Sequence, residues 1–248
     1  MFEKVFSVPY YGLDARGKVK TGLLLQFFQE AAAMHADSRK IGVADLLRQE
    51  MTWVLRRYRV RFHARAGLGD LSVRTWYEPQ RNLTSVRVFE IRDMAGNVIG
   101  DAWSGWIVVD LARNRPVRLD RALPPEYYAA VEPTGESVKG ALEGVGDDFD
   151  LERNFRTRWQ ELDMNGHTNH TVYFDWAMES VPDNVPDEYS PIELDAEYLV
   201  SAQREKVTVR TKKTSQEPLA FAHSVTISAS GAESARLSTT WRKIEDPA

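Results

Sequence analysis

Residues 13–17 read LDARG, and the closely similar LDMNG returns 149 positions later at residues 162–166. The same spacing pairs Glu30 with Glu179, so the match runs without a gap through the segment that follows. A self-match at a fixed spacing is the sequence pattern of a repeated structural unit. The chain is therefore expected to contain one fold twice.

Two further blocks support the duplication. Residues 71–75 match residues 207–211 at a spacing of 136, and Gly96 matches Gly231 at a spacing of 135. The blocks keep one order along the chain while the spacing shortens slightly. This drift is what a duplication followed by small deletions produces, so each half should place the same elements in the same order.

Apolar periodicity predicts the elements of the first copy. Between Thr21 and Ala36 apolar residues recur at spacings of three and four, which indicates a helix with a broad apolar face, and Thr21 can cap its start. Four segments with the alternation of half-buried strands follow. They cover residues 52–62, 71–77, 84–92 and 98–110.

The second copy repeats this order with a helix over residues 169–179. Its strands are expected at residues 193–200, 206–214, 220–229 and 234–244. One helix followed by an antiparallel sheet that curls around it is an α+β arrangement. Between the two copies, prolines and glycines interrupt the periodicity. A short helix is expected there at residues 125–131. The predicted organisation is an N-terminal repeat at 1–112, a linker at 113–150 and a C-terminal repeat at 151–248.

Composition excludes several classes of protein. The net charge of −4 gives no broad basic surface for nucleic acid. Without cysteine there can be no disulfide, thiolate metal site or cysteine nucleophile. The first residues lack a signal-peptide pattern, and no stretch approaches the ~18 apolar residues of a membrane span. A soluble cytoplasmic protein is expected.

Only the second copy of the repeated loop carries an amide and imidazoles, since residues 162–170 read LDMNGHTNH. Alternation in an extended loop puts Asp163, Asn165 and His167 on one side, and the following helix start can polarise a carbonyl. The alternative is that Asp163 and Asn165 only shape a turn and cap the helix. A metal site is not expected, because His167 and His170 lack further ligands. A structural role is the default for the other histidines, which are His35, His63 and His223.

Residues 163–173 resemble the Asp-x-Asn-x-His-x-Asn-Asn-x-x-Tyr signature of the acyl-acyl carrier protein (acyl-ACP) thioesterases. The likeness extends to the first-repeat turn and to the TWVL stretch at residues 52–55. It implies a tandem double hotdog fold that hydrolyses the thioester between a fatty acyl chain and the carrier protein. The resemblance makes Asp163, Asn165 and His167 catalytic, gives the acyl chain to the first repeat, and implies neither metal nor organic cofactor.

One residue departs from the family pattern. The strand after the second helix carries Tyr-x-x-Glu in the family, whereas residues 198–202 read YLVSA and put Ser201 in place of the glutamate. We expect water to attack the thioester carbonyl directly, with His167 orienting or deprotonating the water. Asn165 would hold the water or the carbonyl, and Asp163 would fix the orientation of Asn165 and His167. Either another carboxylate compensates or the enzyme is slow. The candidate carboxylates are Glu197, Asp195 and Asp175.

The carrier is acidic, so a basic docking patch is expected, although a solvated surface is the alternative interpretation. Competing functions are an acyl-coenzyme A thioesterase, a catalytically silent acyl-thioester binding protein and, third, a hotdog dehydratase. Both a monomer and a homodimer fit a double hotdog. The arginines proposed for the patch are Arg113, Arg115, Arg118, Arg121, Arg153, Arg156 and Arg158.

Overall fold

The chain folds into two compact units, Met1–Lys139 and Gly140–Ala248. A computed structural model describes residues 1–78, 83–128 and 140–244. Each unit contains an antiparallel sheet with one main helix packed on it. The predicted α+β fold with two similar repeats is therefore confirmed.

The first unit packs its main helix, α1, against a five-stranded antiparallel path with the order β1-β3-β4-β5-β2. A short strand, β6, pairs with the end of β5. The elements are β1 Phe2–Ser7, α1 Thr21–Ser38, α2 Val43–Leu47, β2 Met51–Phe62, β3 Asp70–Glu78, β4 Thr84–Asp93, β5 Val98–Asp110, β6 Arg115–Val117 and α3 Leu119–Ala122.

The second unit repeats this topology. Its strands follow the order β8-β11-β10-β9-β7, with all pairs antiparallel. The elements are β7 Leu151–Arg156, α4 His170–Glu179, α5 Val185–Glu188, β8 Tyr189–Tyr198, β9 Lys206–Gln216, β10 Leu219–Ile227 and β11 Glu233–Lys243. Each predicted strand thus corresponds to an observed one.

Burial of aromatic side chains fixes each helix on its sheet. In α1, Phe28 is fully buried and its ring lies 5.1 Å from that of Phe89 on β4, measured between centroids. In α4, Phe174 is fully buried, and the ring of Trp176 lies 6.1 Å from Phe155 on β7. Burying a large apolar side chain contributes about 1.5–3 kcal/mol, so these contacts outweigh the modest intrinsic preference of either segment for helix.

Three local predictions differ from the structure. The edge strands β1 and β7 were not predicted, because each has only six residues and pairs on one side only. Thr21 does not cap α1, since it is the first helical residue and Lys20 is the cap position. β8 begins at Tyr189 rather than at residue 193, with Pro191 beside a bulge that tolerates its missing N–H.

Both ends of the predicted linker pack onto the units. Leu119 and Tyr127 are buried in a cluster with Ile41 and Leu46 of the first unit. In the second unit, the N–H of Val145 donates to Ser224 Oγ at 2.7 Å. The expected helix at residues 125–131 is a 3-10 turn at Pro125–Tyr128, and the rest of it lies outside the described residues. No helix in the described ranges is long and apolar enough to cross a bilayer.

Acid should destabilise both units through buried histidines. Burial lowers the pKa of His35 in the first unit and of His223 in the second from 6.5 to about 3. Both rings therefore stay neutral when folded, whereas the unfolded chain takes up protons below its ordinary pKa. The contribution of each neutral histidine to the free energy of unfolding is fully present above pH 6.5. For each of the two histidines it should fall by about 1.4 kcal/mol per pH unit as the pH drops toward 3.

Urea unfolding at several pH values between 7 and 5 measures this loss. The neutral variant His223→Gln serves as the control, because it should lose less stability than the wild type over the same interval. If the free energy of unfolding changed with pH equally in the two proteins, the neutral state of buried His223 would not be the cause of the loss.

Candidate active site

The loop before α4 is a tight turn organised by Asp163. One carboxylate oxygen, Oδ1, accepts hydrogen bonds from the backbone N–H of Asn165 at 2.8 Å and of His167 at 3.1 Å. The N–H of Asp163 donates to the carbonyl of His167 at 2.7 Å, and Gly166 takes a left-handed φ of 74°. Asp163 thus fixes the backbone that carries the other two predicted site residues.

The first unit contains the same turn. Asp14 Oδ1 accepts from the N–H of Arg16 and of Lys18, both at 2.9 Å, and Gly17 has a φ of 69°. The turn-shaping interpretation therefore accounts for Asp163 Oδ1 and for Gly166. It does not account for the side chains of Asn165 and His167, which the first copy lacks.

The second carboxylate oxygen distinguishes the two copies. Asp14 Oδ2 accepts from the guanidinium of Arg65 at 2.7 Å. At the spacing of 136 that relates the two sheets, position 65 corresponds to Ser201, whose side chain is too short for this contact. Among the described residues, Asp163 Oδ2 has no hydrogen-bond partner, which leaves one oxygen of the second copy available for chemistry.

The side chains of Asn165 and His167 are accessible. Asn165 is exposed and His167 is half-buried, and neither side chain has a hydrogen-bond partner within the described part of the chain. The loop thus carries a carboxylate oxygen, an amide and an imidazole that have no hydrogen-bond partner among the described residues. This set can bind and deprotonate a water molecule.

The start of α4 has fewer free backbone N–H groups for binding an oxyanion than the sequence predicts. Asn169 caps the helix, and its side-chain oxygen accepts from the N–H and the hydroxyl of Thr171, each at 3.0 Å. The N–H of Val172 donates to the carbonyl of Asn169 at 3.0 Å. These two amides are already bonded, so the developing charge would have to be stabilised mainly by side chains.

The segment after β8 lies directly beside the loop. Thr168, next to His167, donates its N–H to the carbonyl of Ala202 at 2.8 Å, and Ser201 is exposed. The candidate carboxylates on β8 lie elsewhere, because alternate residues of a strand face opposite sides. Tyr198 faces α4 and donates to the carbonyl of His170 at 2.9 Å. Glu197 and Asp195 therefore face the other side of the sheet.

Glu197 is further engaged, since its carboxylate accepts from the N–H of Leu142 at 2.8 Å. Asp175, the third candidate, is exposed on α4. The geometry thus does not single out a replacement for the family glutamate at position 201.

The remaining histidines have structural environments. His63 pairs with Asp101 at 2.5 Å. His223 lies between the hydroxyls of Thr211 and Thr239 at 2.9 and 3.0 Å. His35 is buried, 3.1 Å from a guanidinium nitrogen of Arg87. No group of three potential metal-ligating side chains converges anywhere in the described ranges.

Four of the seven proposed docking arginines are paired with nearby acids, namely Arg113 with Asp110, Arg118 with Asp120, Arg153 with Asp183 and Arg158 with Glu161. The other three, Arg115, Arg121 and Arg156, are exposed and have no acidic partner among the described residues. Pairing therefore leaves Arg156 of the second unit, and Arg115 and Arg121 of the first unit, as the candidates for attracting an acidic partner.

Comparison with known proteins places the chain in one family. The N-terminal domain model of the acyl-ACP thioesterases matches residues 1–130, and the C-terminal domain model matches residues 146–243. The chloroplastic dodecanoyl-[acyl-carrier-protein] hydrolase of Cinnamomum camphora is 23% identical, and the match covers 98% of this chain and 68% of that protein.

Solved structures share the fold. An acyl-ACP thioesterase from Bacteroides thetaiotaomicron superposes with a TM-score of 0.84 at 21% identity, covering 97% of both chains. The 12:0-ACP thioesterase from Umbellularia californica gives a TM-score of 0.82 at 21% identity, covering 98% of this chain and 94% of that one. The predicted double hotdog is confirmed.

Proposed function

The chain belongs to the acyl-ACP thioesterase family, and on this premise we propose that it hydrolyses fatty acyl-ACP to free fatty acid and carrier protein at the loop of residues 162–168. The observation that carries the site assignment is the contrast between the two copies of the loop. The second copy alone combines an available carboxylate oxygen on Asp163 with the accessible side chains of Asn165 and His167.

In the proposed reaction, the imidazole of His167 takes a proton from water, and the water oxygen adds to the thioester carbonyl carbon. Asn165 holds the water or the carbonyl oxygen, and Asp163 fixes the loop through the two backbone amides it binds. When the tetrahedral intermediate collapses, the carbon–sulfur bond breaks. The departing sulfur takes up the proton that His167 had accepted from water, which leaves the carrier thiol, the fatty acid and a neutral imidazole.

The first repeat is proposed to house the acyl chain. Support comes from a cavity of about 700 Å³ in that unit, beside the end of α1. Its lining includes Ile41 and Leu123 together with Tyr77 and Tyr127, whose rings stack at 4.3 Å. The lining is mixed, because Arg39, Lys40, Arg121 and Glu126 also line the cavity, and only its apolar part suits a hydrocarbon chain.

Docking of the acidic carrier is proposed at the unpaired Arg156 of the second unit. Arg156 is the last residue of β7 and precedes the proposed loop of residues 162–168 in the chain. An acid beside an arginine offsets its positive charge, so the paired arginines would attract an acidic carrier less. A cytoplasmic location and the choice between monomer and homodimer stay predictions.

A direct assay tests the function. Purified protein is incubated with acyl-ACP and with acyl-coenzyme A of several chain lengths, and released thiol is followed with a thiol-reactive dye. We expect a higher kcat/KM on the carrier protein. A preference for the coenzyme would instead identify an acyl-coenzyme A thioesterase. Tight binding of acyl-ACP without thiol release would identify a silent binding protein.

A further inference from the structure

Both units hold the segment after the first long strand by the same backbone bonds. In the first unit, the N–H groups of His63 and Ala64 donate to the carbonyl of Ile99 at 2.9 and 3.2 Å. In the second unit, those of Leu199 and Val200 donate to the carbonyl of Ser234 at the same two distances. The backbone frame beside the repeated loop is thus common to both copies.

Side chains then secure this segment in two different ways. In the first unit, Arg65 bridges from the segment to the loop, donating to Asp14 Oδ2 at 2.7 Å and to the carbonyl of Val19 at 3.4 Å. The bridge consumes the carboxylate oxygen that the second unit leaves available. Ser201, at the equivalent position, cannot make such a bridge.

The second unit uses a chain of hydroxyl groups instead. Ala202 donates its N–H to the Tyr173 hydroxyl at 3.1 Å, and that hydroxyl lies 2.9 Å from Ser234 Oγ. Ser234 Oγ in turn donates to the carbonyl of Val200 at 2.6 Å. Donors and acceptors therefore follow one direction, from Ala202 through Tyr173 and Ser234 back to Val200. None of these bonds involves Asp163, so Asp163 Oδ2 stays unused.

The first unit has no counterpart of these hydroxyls. Position 24 on α1 corresponds to Tyr173 and is leucine, and position 99 corresponds to Ser234 and is isoleucine. Both Leu24 and Tyr173 are buried, with exposed fractions of 4% and 2%. An apolar side chain is therefore sufficient for helix packing at this position, and packing does not require the hydroxyl of Tyr173.

We propose that Tyr173 is a positioning residue for hydrolysis, which acts through Ser234 to hold residues 199–202 beside the catalytic loop. The hydroxyl chain replaces the Arg65 bridge and so leaves Asp163 and the space at Ser201 open to the reacting groups. This inference rests on the proposed function, because it assigns a role within that reaction.

The test compares Tyr173→Phe, Ser234→Ala and their double variant with a matched control, Thr211→Val. The control also removes one buried hydroxyl from the second unit, where Thr211 bonds His223 at 2.9 Å. Each hydroxyl variant should lower kcat on acyl-ACP by about tenfold, equivalent to one lost hydrogen bond, and change KM less than twofold. The kcat of the double variant should be no lower than that of the less active single variant, because both hydroxyls belong to one hydrogen-bonded chain.

Hydrogen exchange gives a second readout. Backbone amides of residues 199–203 should exchange faster in Tyr173→Phe than in the wild type, and Thr211→Val should leave both their exchange and kcat unchanged. A wild-type kcat in Tyr173→Phe and Ser234→Ala would overturn the inference, as would an equal loss of kcat in Thr211→Val. Failure of the proposed function differs from either result, because the wild type itself would then release no thiol.

Discussion

Turnover of acyl-ACP should fall about 100-fold to 10,000-fold when His167 is replaced by alanine, the range expected for loss of a general base. The imidazole is half-buried and has no hydrogen-bond partner among the described residues, so it is available to water. KM should change little, because the acyl chain and the carrier provide the binding. Initial rates of thiol release across a series of acyl chain lengths measure both constants.

The internal repeat supplies a matched control for this variant. Lys18 occupies the position of His167 in the first copy, where its N–H also donates to the organising aspartate. Lys18→Ala alters the same turn without touching the proposed chemistry, so its kcat should equal that of the wild type. Unchanged rates in His167→Ala would remove the proposed site.

Replacing Ser201 by arginine is expected to reduce kcat about a hundredfold, comparable to the effect of displacing a reacting group by about 1 Å. In the first unit, the arginine at this position binds Asp14 Oδ2 at 2.7 Å. An arginine at position 201 should bind Asp163 Oδ2 in the same way and fill the space beside the loop. The fold should remain intact, because the first unit already accommodates this contact.

Two substitutions at the same position separate this effect from general disturbance. Ser201→Ala should change kcat less than threefold, since only an exposed hydroxyl is lost. Ser201→Glu introduces the family's carboxylate and should keep or raise kcat. If Ser201→Arg were as active as the wild type, with melting temperature unchanged, the proposed availability of Asp163 Oδ2 would be wrong.

The duplication and most of the helices and strands follow from the amino-acid sequence alone. Strand β5 spans the predicted residues 98–110, and α1 extends the predicted helix by two residues to Ser38. These features depend on periodicity, which each segment carries locally. The contrast between the two loop copies also marks Asp163, Asn165 and His167 as candidate site residues from the sequence alone. Their catalytic roles stay a proposal.

The surroundings of the loop, in contrast, depend on contacts between segments that are distant in the chain. The Arg65 bridge spans 51 residues and the bond between Tyr173 and Ser234 spans 61, and no local pattern specifies such distant pairs. In the tertiary structure Glu197 lies on the side of β8 away from α4, and Asn169 caps α4. The physical reason is that periodicity selects which face of a segment is buried, whereas hydrogen-bond partners depend on how separate segments meet in space.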